Sequence, residues 1–358
     1  APLLRVGLIK LAHTPAALRG HPRRGTYTSQ EGNEPEHILM VDMHHIISDG
    51  VTMEIFINEF LALNRGETLP QLRLQYKDFS NWWNRHHQSG VLRKQGEFWL
   101  KRFQGKLPEL KMPLDFPRPR NRGSEGDTRG IRMEEDLQAR VKKHMRRSGT
   151  TIYQFLLAVY NVLLYKYTGQ TDIIVGSPVS GRRHADLQGI VGVFVNMVAI
   201  RNYPGPGKTF AEFLEEVKTN ALDAHENQDY PFDQLVNQLR LQGKPGRNPV
   251  FDVGFLYNAL EIRKIQDPHL KITPYEVRHR VSRFDMLMGV WEDSGGIEIR
   301  LEYSTQLFKS TGIDGFLKHY MDILRQVTEN LQIKMEDIEI ETGLKTITSK
   351  KPEIQFGF

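Results

Sequence analysis

The chain has 358 residues, 39% hydrophobic and 25% charged, with a formal net charge of +5. That length exceeds what one ordinary core organises, so two lobes are expected, and the composition is globular rather than disordered or fibrous. No apolar run approaches the ~20 residues that span a bilayer, and the absence of cysteine removes disulfides and thiol nucleophiles and suits a reducing, cytoplasmic setting.

Leu3–Leu8 alternates apolar and other residues, as a half-buried strand does. A polar loop is expected from about His21 to Glu36, then a short buried strand at Ile38–Val41 running into His44 and His45. Beyond Gly50, Met53, Phe56, Ile57, Phe60 and Leu61 share one helical face, with Gly66 as the stop. Tyr76–Trp83 and Glu97–Phe103 read as further amphipathic helices. Pro113, Pro117 and Pro119 in the stretch to Arg120, followed by small and charged residues to Gly126, make the clearest linker. The lobe boundary is therefore expected there, giving 1–112 and 113–343, with 344–358 as a tail or linker.

In the second half, Lys142–Arg147 is basic but carries no interleaved aromatics, so it predicts a solvated helix face and no nucleic acid. The overall positive charge favours acidic protein partners. Thr151 with Gln154 forms a capping-box pattern before an apolar helix that reaches Tyr167 and ends at Gly169. Ile173–Val175 and Val193–Ile200 predict strands. Thr209 with Glu212 repeats the capping box, ahead of the stripe Phe210, Phe213, Leu214, Val217 and Ala221. Ile297–Tyr303 alternates strictly, and Ile313, Phe316, Leu317, Tyr320, Leu324 and Val327 mark a last helix. The fold class is α/β or α+β.

The chemistry concentrates in Met43–Val51, MHHIISDGV. Two adjacent imidazoles at a strand end form a structural pair, a metal site or an acid–base group. Successive side chains of an extended segment point to opposite faces, which argues against one shared metal. His86, His87 and His225 stand at no ligand spacing from the pair, so no metal is expected. An imidazole with an ordinary pKa near ~6.5 suits proton acceptance. Asp49 either orients it or pairs with an arginine elsewhere. Gly50 allows close backbone approach at the helix start.

His44–Gly50 resembles the HHxxxDG signature of nonribosomal peptide synthetase condensation domains, relatives of chloramphenicol acetyltransferase. Other stretches agree in order: Tyr76–Trp82 resembles Y-x-D-[FY]-x-x-W, Gly176–Arg182 a strand and turn, and Val191–Asn196 the GxFVN block. His225–Phe232 resembles [HN]QDYPF, and Arg247–Phe251 and Arg283–Asp285 resemble later family segments. The likeness implies two acetyltransferase-like lobes in a V, with mixed sheets flanked by helices. It implies amide-bond formation between thioesters carried on the phosphopantetheine arms of upstream and downstream peptidyl carrier proteins. No intrinsic cofactor and no membrane are expected, and an adjoining adenylation domain is.

By the same resemblance His45 is the catalytic position, His44, Asp49 and Gly50 support it, and Arg182 is the ion-pair partner of Asp49 across the lobes. Asn196, Ser177 and Tyr257 are assigned to the substrate tunnel. The chain lacks the leading family segment with its R-H-x-x-L-R stretch, so the first lobe is expected to be partial. Epimerisation domains share the histidines, but their glutamate-bearing block is not found here. Heterocyclisation domains replace the histidines with aspartates. A non-catalytic recruitment module is the alternative from another class.

Overall fold

A computed structural model describes residues 3–11, 37–241, 243–258, 280–293 and 295–341. The whole loop expected at 21–36 and the whole tail expected at 344–358 lie outside the described residues. The chain divides into two compact units. The first takes Ala1–Val91, Ser180–Val195 and 262–277 (the last outside the described residues), and the second takes Leu92–Val179, Asn196–Glu261 and Arg278–Phe358.

In the first unit β1 (Leu4–Lys10) and β2 (His37–Met43) pair antiparallel, with Leu4 opposite Met43 and Lys10 opposite His37. Their apolar side chains are mostly exposed, Leu8 by 67%, so the half-buried strand expected at Leu3–Leu8 is not half-buried here. A two-stranded ribbon has no second layer of its own, and no third strand joins it among the described residues. Helix α1 (Gly50–Asn64) follows, and Arg65 and the left-handed Gly66 end it. Of its expected apolar face only Leu61 is buried; Thr52 is the other buried residue of the helix. Helix α2 (Tyr76–Gln88) starts at a capping box in which Gln75 N–H donates to Asp78 Oδ2 at 2.9 Å.

The second unit is built on a six-stranded mixed sheet. Its strands are β3 (Gly126–Arg132), β4 (Ile173–Val179), β5 (Asn196–Asn202), β6 (Val253–Asn258), β7 (Met286–Asp293) and β8 (Gly296–Ser304), in the order β3-β8-β7-β6-β4-β5. β6 runs parallel to both β4 and β7, and the remaining neighbours are antiparallel. Buried Ile297, Ile299, Leu301 and Tyr303 alternate along β8 with half-buried neighbours, as its sequence pattern requires.

Helix α5 (Ile152–Thr168) is the centre of this core, with every side chain from Phe155 to Leu164 buried. Its apolar sequence on all sides matches that position. Thr151 and Gln154 cap each other's backbone, and Gly169 closes the helix in the left-handed region. Helix α6 (Phe210–Glu226) has the same reciprocal cap at Thr209 and Glu212 and buries its predicted stripe. After the short α7 (Phe232–Leu239), helix α8 (Ser310–Glu329) buries Ile313, Phe316, Leu317, Tyr320, Leu324 and Val327. Helix α4 (Glu135–Ser148) leaves Lys143, Arg146 and Arg147 exposed, while Lys142 pairs with Glu292 at 2.9 Å.

The division between units differs from the boundary expected at 112/113. Helix α3 (Arg93–Arg102) precedes the prolines, yet it anchors in the second unit. Trp99 and Phe103 are buried there, and Trp99 Nε1 donates to the carbonyl of Asn227 at 2.8 Å. The proline-rich stretch is not a loose tether either, since Arg118 clasps Asp285 through both terminal nitrogens. Conversely, the chain leaves the sheet after Val179 and returns to it at Asn196, and the intervening Ser180–Val195 belongs to the first unit. The strand expected at Val193 therefore begins only at Asn196.

Candidate active site

β2 ends at Met43, and the backbone N–H of His44 makes one further bond, to the carbonyl of Leu3 at 2.8 Å. The chain then turns: Ile47 N–H donates to the carbonyl of His44 at 3.0 Å. His45 thus sits in a turn and not in the strand, so strand alternation does not set the directions of the two imidazoles. Hydrogen bonds do. His45 Nδ1 lies 2.6 Å from the carbonyl oxygen of Ser48. A carbonyl only accepts, so Nδ1 carries the proton and neutral His45 presents a bare Nε2. His44 Nδ1 accepts from Ile46 N–H at 3.1 Å, so its proton is on Nε2. The neighbours are opposite tautomers, and only His45 is set to take a proton through its outer nitrogen. Both residues are exposed, so any support from His44 comes through this local hydrogen bond and not through burial.

Asp49 is the cap of α1, in extended backbone at φ −122°, and its Oδ1 accepts from Thr52 N–H at 2.8 Å. An aspartate is among the residues most favoured at such a cap, because its carboxylate accepts an otherwise unpaired N–H of the first turn. Its carboxylate makes no described bond to His45. It accepts instead from Arg182 Nη2 at 3.1 and 3.3 Å, from Phe194 N–H at 3.1 Å and from the Thr52 hydroxyl at 3.0 Å. The two side chains are buried, Arg182 completely. Arg182 Nη1 donates to the carbonyls of Leu187 and Ile190, both at 2.6 Å, and its guanidinium lies 4.0 Å over the Phe194 ring. Because Ser180–Val195 folds with the first unit, this pair lies inside one unit and does not bridge two.

Tyr76 closes the other side of that segment. Its hydroxyl donates to the carbonyl of Val193 at 2.8 Å, and its ring meets Phe194 edge-on. Burial first, then the Asp49 charge, pushes the phenol pKa up, so it stays a neutral donor. Gly192 is needed here: a Cβ on it would stand 2.1 Å from a ring carbon of Tyr76. Leu72, Gln75, Tyr76, Lys77, Ile190 and Val191 line a shallow cavity of about 330 Å³ beside it. Gly50 is different. A Cβ there meets nothing within 4 Å, so close backbone approach inside the described chain is not its reason.

Asn196, Ser177 and Tyr257 belong to the second unit, and each has its polar group engaged. Asn196 Nδ2 donates to the carbonyls of Gln228 and Tyr230, both at 2.8 Å, and its Oδ1 accepts from Phe232 N–H at 3.2 Å. Ser177 Oγ, buried, donates to the carbonyl of Phe255 and accepts from the Tyr153 hydroxyl, each at 2.8 Å. The Tyr257 hydroxyl donates to Glu292 at 2.7 Å. Thr52 is the functional candidate that the residue pattern did not single out. A polar side chain three positions after an aspartate cap was the available signal. Among the described residues no group of three or more His, Cys, Asp or Glu could hold a metal ion. No described helix is long and apolar enough to cross a membrane.

Comparison with known proteins bears on the whole chain. A family model described as Condensation domain matches residues 29–344. Tyrocidine synthase 3 of Brevibacillus parabrevis is 41% identical over 342 residues, 96% of this chain and 5% of that protein. The chain spans only a small fraction of the length of the curated relatives it matches. Among solved structures, a four-domain nonribosomal peptide synthetase bound to AMP and glycine superposes with a TM-score of 0.80 at 18% identity, covering 96% of this chain and 26% of that one. The X-domain in its complex with OxyB from teicoplanin biosynthesis superposes with a TM-score of 0.78 at 22% identity, covering 95% of this chain and 73% of that one. The mixed α/β fold is shared with both.

Proposed function

Because the chain belongs to the condensation domain family, we propose that it joins a donor acyl group to an acceptor amine, each presented as a thioester by a carrier protein. The observation that carries the proposal is the 2.6 Å contact of His45 Nδ1 with the Ser48 carbonyl, which as a hydrogen bond from Nδ1–H leaves Nε2 of the neutral imidazole bare at an exposed turn. The acceptor nitrogen attacks the donor carbonyl, forming the C–N bond. As the tetrahedral intermediate collapses the C–S bond breaks. The proton lost by nitrogen passes to Nε2 and from there to the leaving thiolate, which restores the imidazole. A thioester is already activated, so the step needs neither metal nor nucleotide, and holding both arms together supplies rate through proximity.

In this reading the phosphopantetheine arms belong to upstream and downstream carriers, an adenylation domain adjoins, and the setting is the cytoplasm. Asp49 and Arg182 hold the turn, and Asn196, Ser177 and Tyr257 stand along the substrate path. The expected lobes at 1–112 and 113–343 enter this reading only as modified by the two units. The likeness to the X-domain, solved in complex with OxyB, favours one second reading: a recruitment module that binds a partner and transfers nothing.

Single-turnover transfer between two loaded carriers decides between them. His45→Ala should lose about 10²–10⁴-fold in rate with its fold intact. Wild-type rates in that variant would remove the catalytic reading and leave recruitment, and an epimerised donor without amide product would point to an epimerisation domain.

A further inference from the structure

We propose that Thr52 is a positioning residue for His45, its hydroxyl joining Asp49 to Gly192 so that the Ser48 carbonyl is held against the imidazole. The consequence for rate rests on the condensation reading; the structural link does not.

Thr52 is wholly buried in the first turn of α1. Its Oγ1 lies 3.0 Å from Asp49 Oδ1 and 2.9 Å from the carbonyl of Gly192, and it accepts the N–H of Gly192 at 3.1 Å. The single hydroxyl proton is therefore shared between two acceptors, while a lone pair takes the glycine N–H. One small side chain clasps both polar groups of Gly192 and the carboxylate that caps the helix. A purely structural account explains less. The cap itself uses the backbone N–H of Thr52, which any residue but proline supplies. The volume and the β-branch would be supplied equally by valine. Arg182 Nη2 also reaches the Gly192 carbonyl at 3.3 Å and Thr52 Oγ1 at 3.4 Å, so what the hydroxyl alone adds is an acceptor for Gly192 N–H that is tied directly to the Asp49 carboxylate.

That junction lies one peptide bond from the chemistry. The carbonyl that receives His45 Nδ1–H belongs to Ser48, whose peptide unit is shared with Asp49. With the hydroxyl gone, Gly192 N–H loses its acceptor in a buried place and the carboxylate loses one of its restraints. A shift of Asp49 rotates the Ser48 carbonyl, and the preference for a bare Nε2 weakens. Groups that orient a reacting histidine through its second nitrogen act in this way. Binding of either carrier arm needs no such restraint.

The test uses the full chain with ¹⁵N-labelled histidine, as wild type, Thr52→Val and Thr52→Ser. Imidazole nitrogen shifts should show His45 protonated on Nδ1 in the wild type and in Thr52→Ser, and mixed tautomers in Thr52→Val. In single-turnover transfer, Thr52→Val should lower kcat by about 10–100-fold with KM for the loaded acceptor carrier little changed, and Thr52→Ser should restore the rate. A folded Thr52→Val with wild-type imidazole shifts overturns the proposal. So does a serine variant as impaired as valine, because then the methyl group and not the hydroxyl matters. If Thr52→Val does not fold, Thr52→Ser decides alone: a wild-type tautomer supports the link and mixed tautomers overturn it. Amide formation absent from the wild type itself would overturn the condensation reading, while the spectra still judge Thr52.

Discussion

Asp49→Ala tests how the turn that carries His45 is held. The carboxylate it removes is buried against a guanidinium that is also buried, at 3.1 and 3.3 Å. Breaking such a pair from one side costs roughly 3–5 kcal/mol, because the remaining charge is stranded in a poorly solvated place. Arg182 would not be left bare, since its other nitrogen keeps the carbonyls of Leu187 and Ile190. That moderates the loss toward the lower end of the range. Two backbone donors lose their acceptor as well, Thr52 N–H and Phe194 N–H, and the loss of a helix cap alone is typically about 1 kcal/mol. The expected total is about 4 kcal/mol. Arg182→Ala should cost a similar amount. The double variant should fall short of the sum of the two by about 0.5–3 kcal/mol, since neither ion is then unpartnered. Urea unfolding of the four proteins, wild type included, measures this directly. Costs that add to within about 0.5 kcal/mol would refute the reasoning, because independent sites behave in that way. Added salt should leave the coupling intact, unlike that of an exposed pair.

Four further outcomes follow from the same geometry. His44→Ala removes an acceptor at an exposed turn and should cost no more than about 1 kcal/mol in urea unfolding, with transfer rate close to wild type. Gly50→Ala meets no atom within 4 Å, so unfolding should show unchanged or slightly raised stability; a fall in transfer rate beside intact stability would show that the space serves a substrate. Glu292 is held below the ordinary carboxylate range, first by the hydrogen bond from Lys142 and also by the one from Tyr257, so its contribution to stability is complete above its unfolded pKa of about 4.5 and is lost as pH falls through the depressed folded value; Glu292→Gln should flatten melts across that acid interval. Carrier binding should weaken with salt, since exposed charges are screened within about 10 Å at 0.1 M; salt-independent affinity in calorimetry would show that charge does not guide docking.

What could be read in the sequence followed locality. The caps at Thr151 and Thr209, the buried stripe of α6 and the alternation of β8 each depend on residues within a few positions of one another, and each stands in the structure where its pattern placed it. Periodicity failed where burial depends on a distant element. Leu3–Leu8 carries the pattern of a covered strand, but cover is supplied by another layer and not by alternation itself. The prolines at 113–119 looked like a boundary because proline breaks helices and sheets, yet Trp99 and Phe103 had already committed the preceding helix to the second unit. Arg182 lies 133 positions from Asp49, and no local rule links them; motif resemblance supplied the pairing, and geometry added that Ser180–Val195 brings the arginine back into the first unit. Thr52 stayed hidden for a related reason. A threonine in a first helical turn is ordinary by composition, and its distinction arises only when Gly192, 140 positions later, places both of its peptide polar groups against that hydroxyl. The motif histidine was legible because its chemistry is carried by residue type, whereas the residues that hold its proton on one nitrogen are legible only after folding has chosen their neighbours.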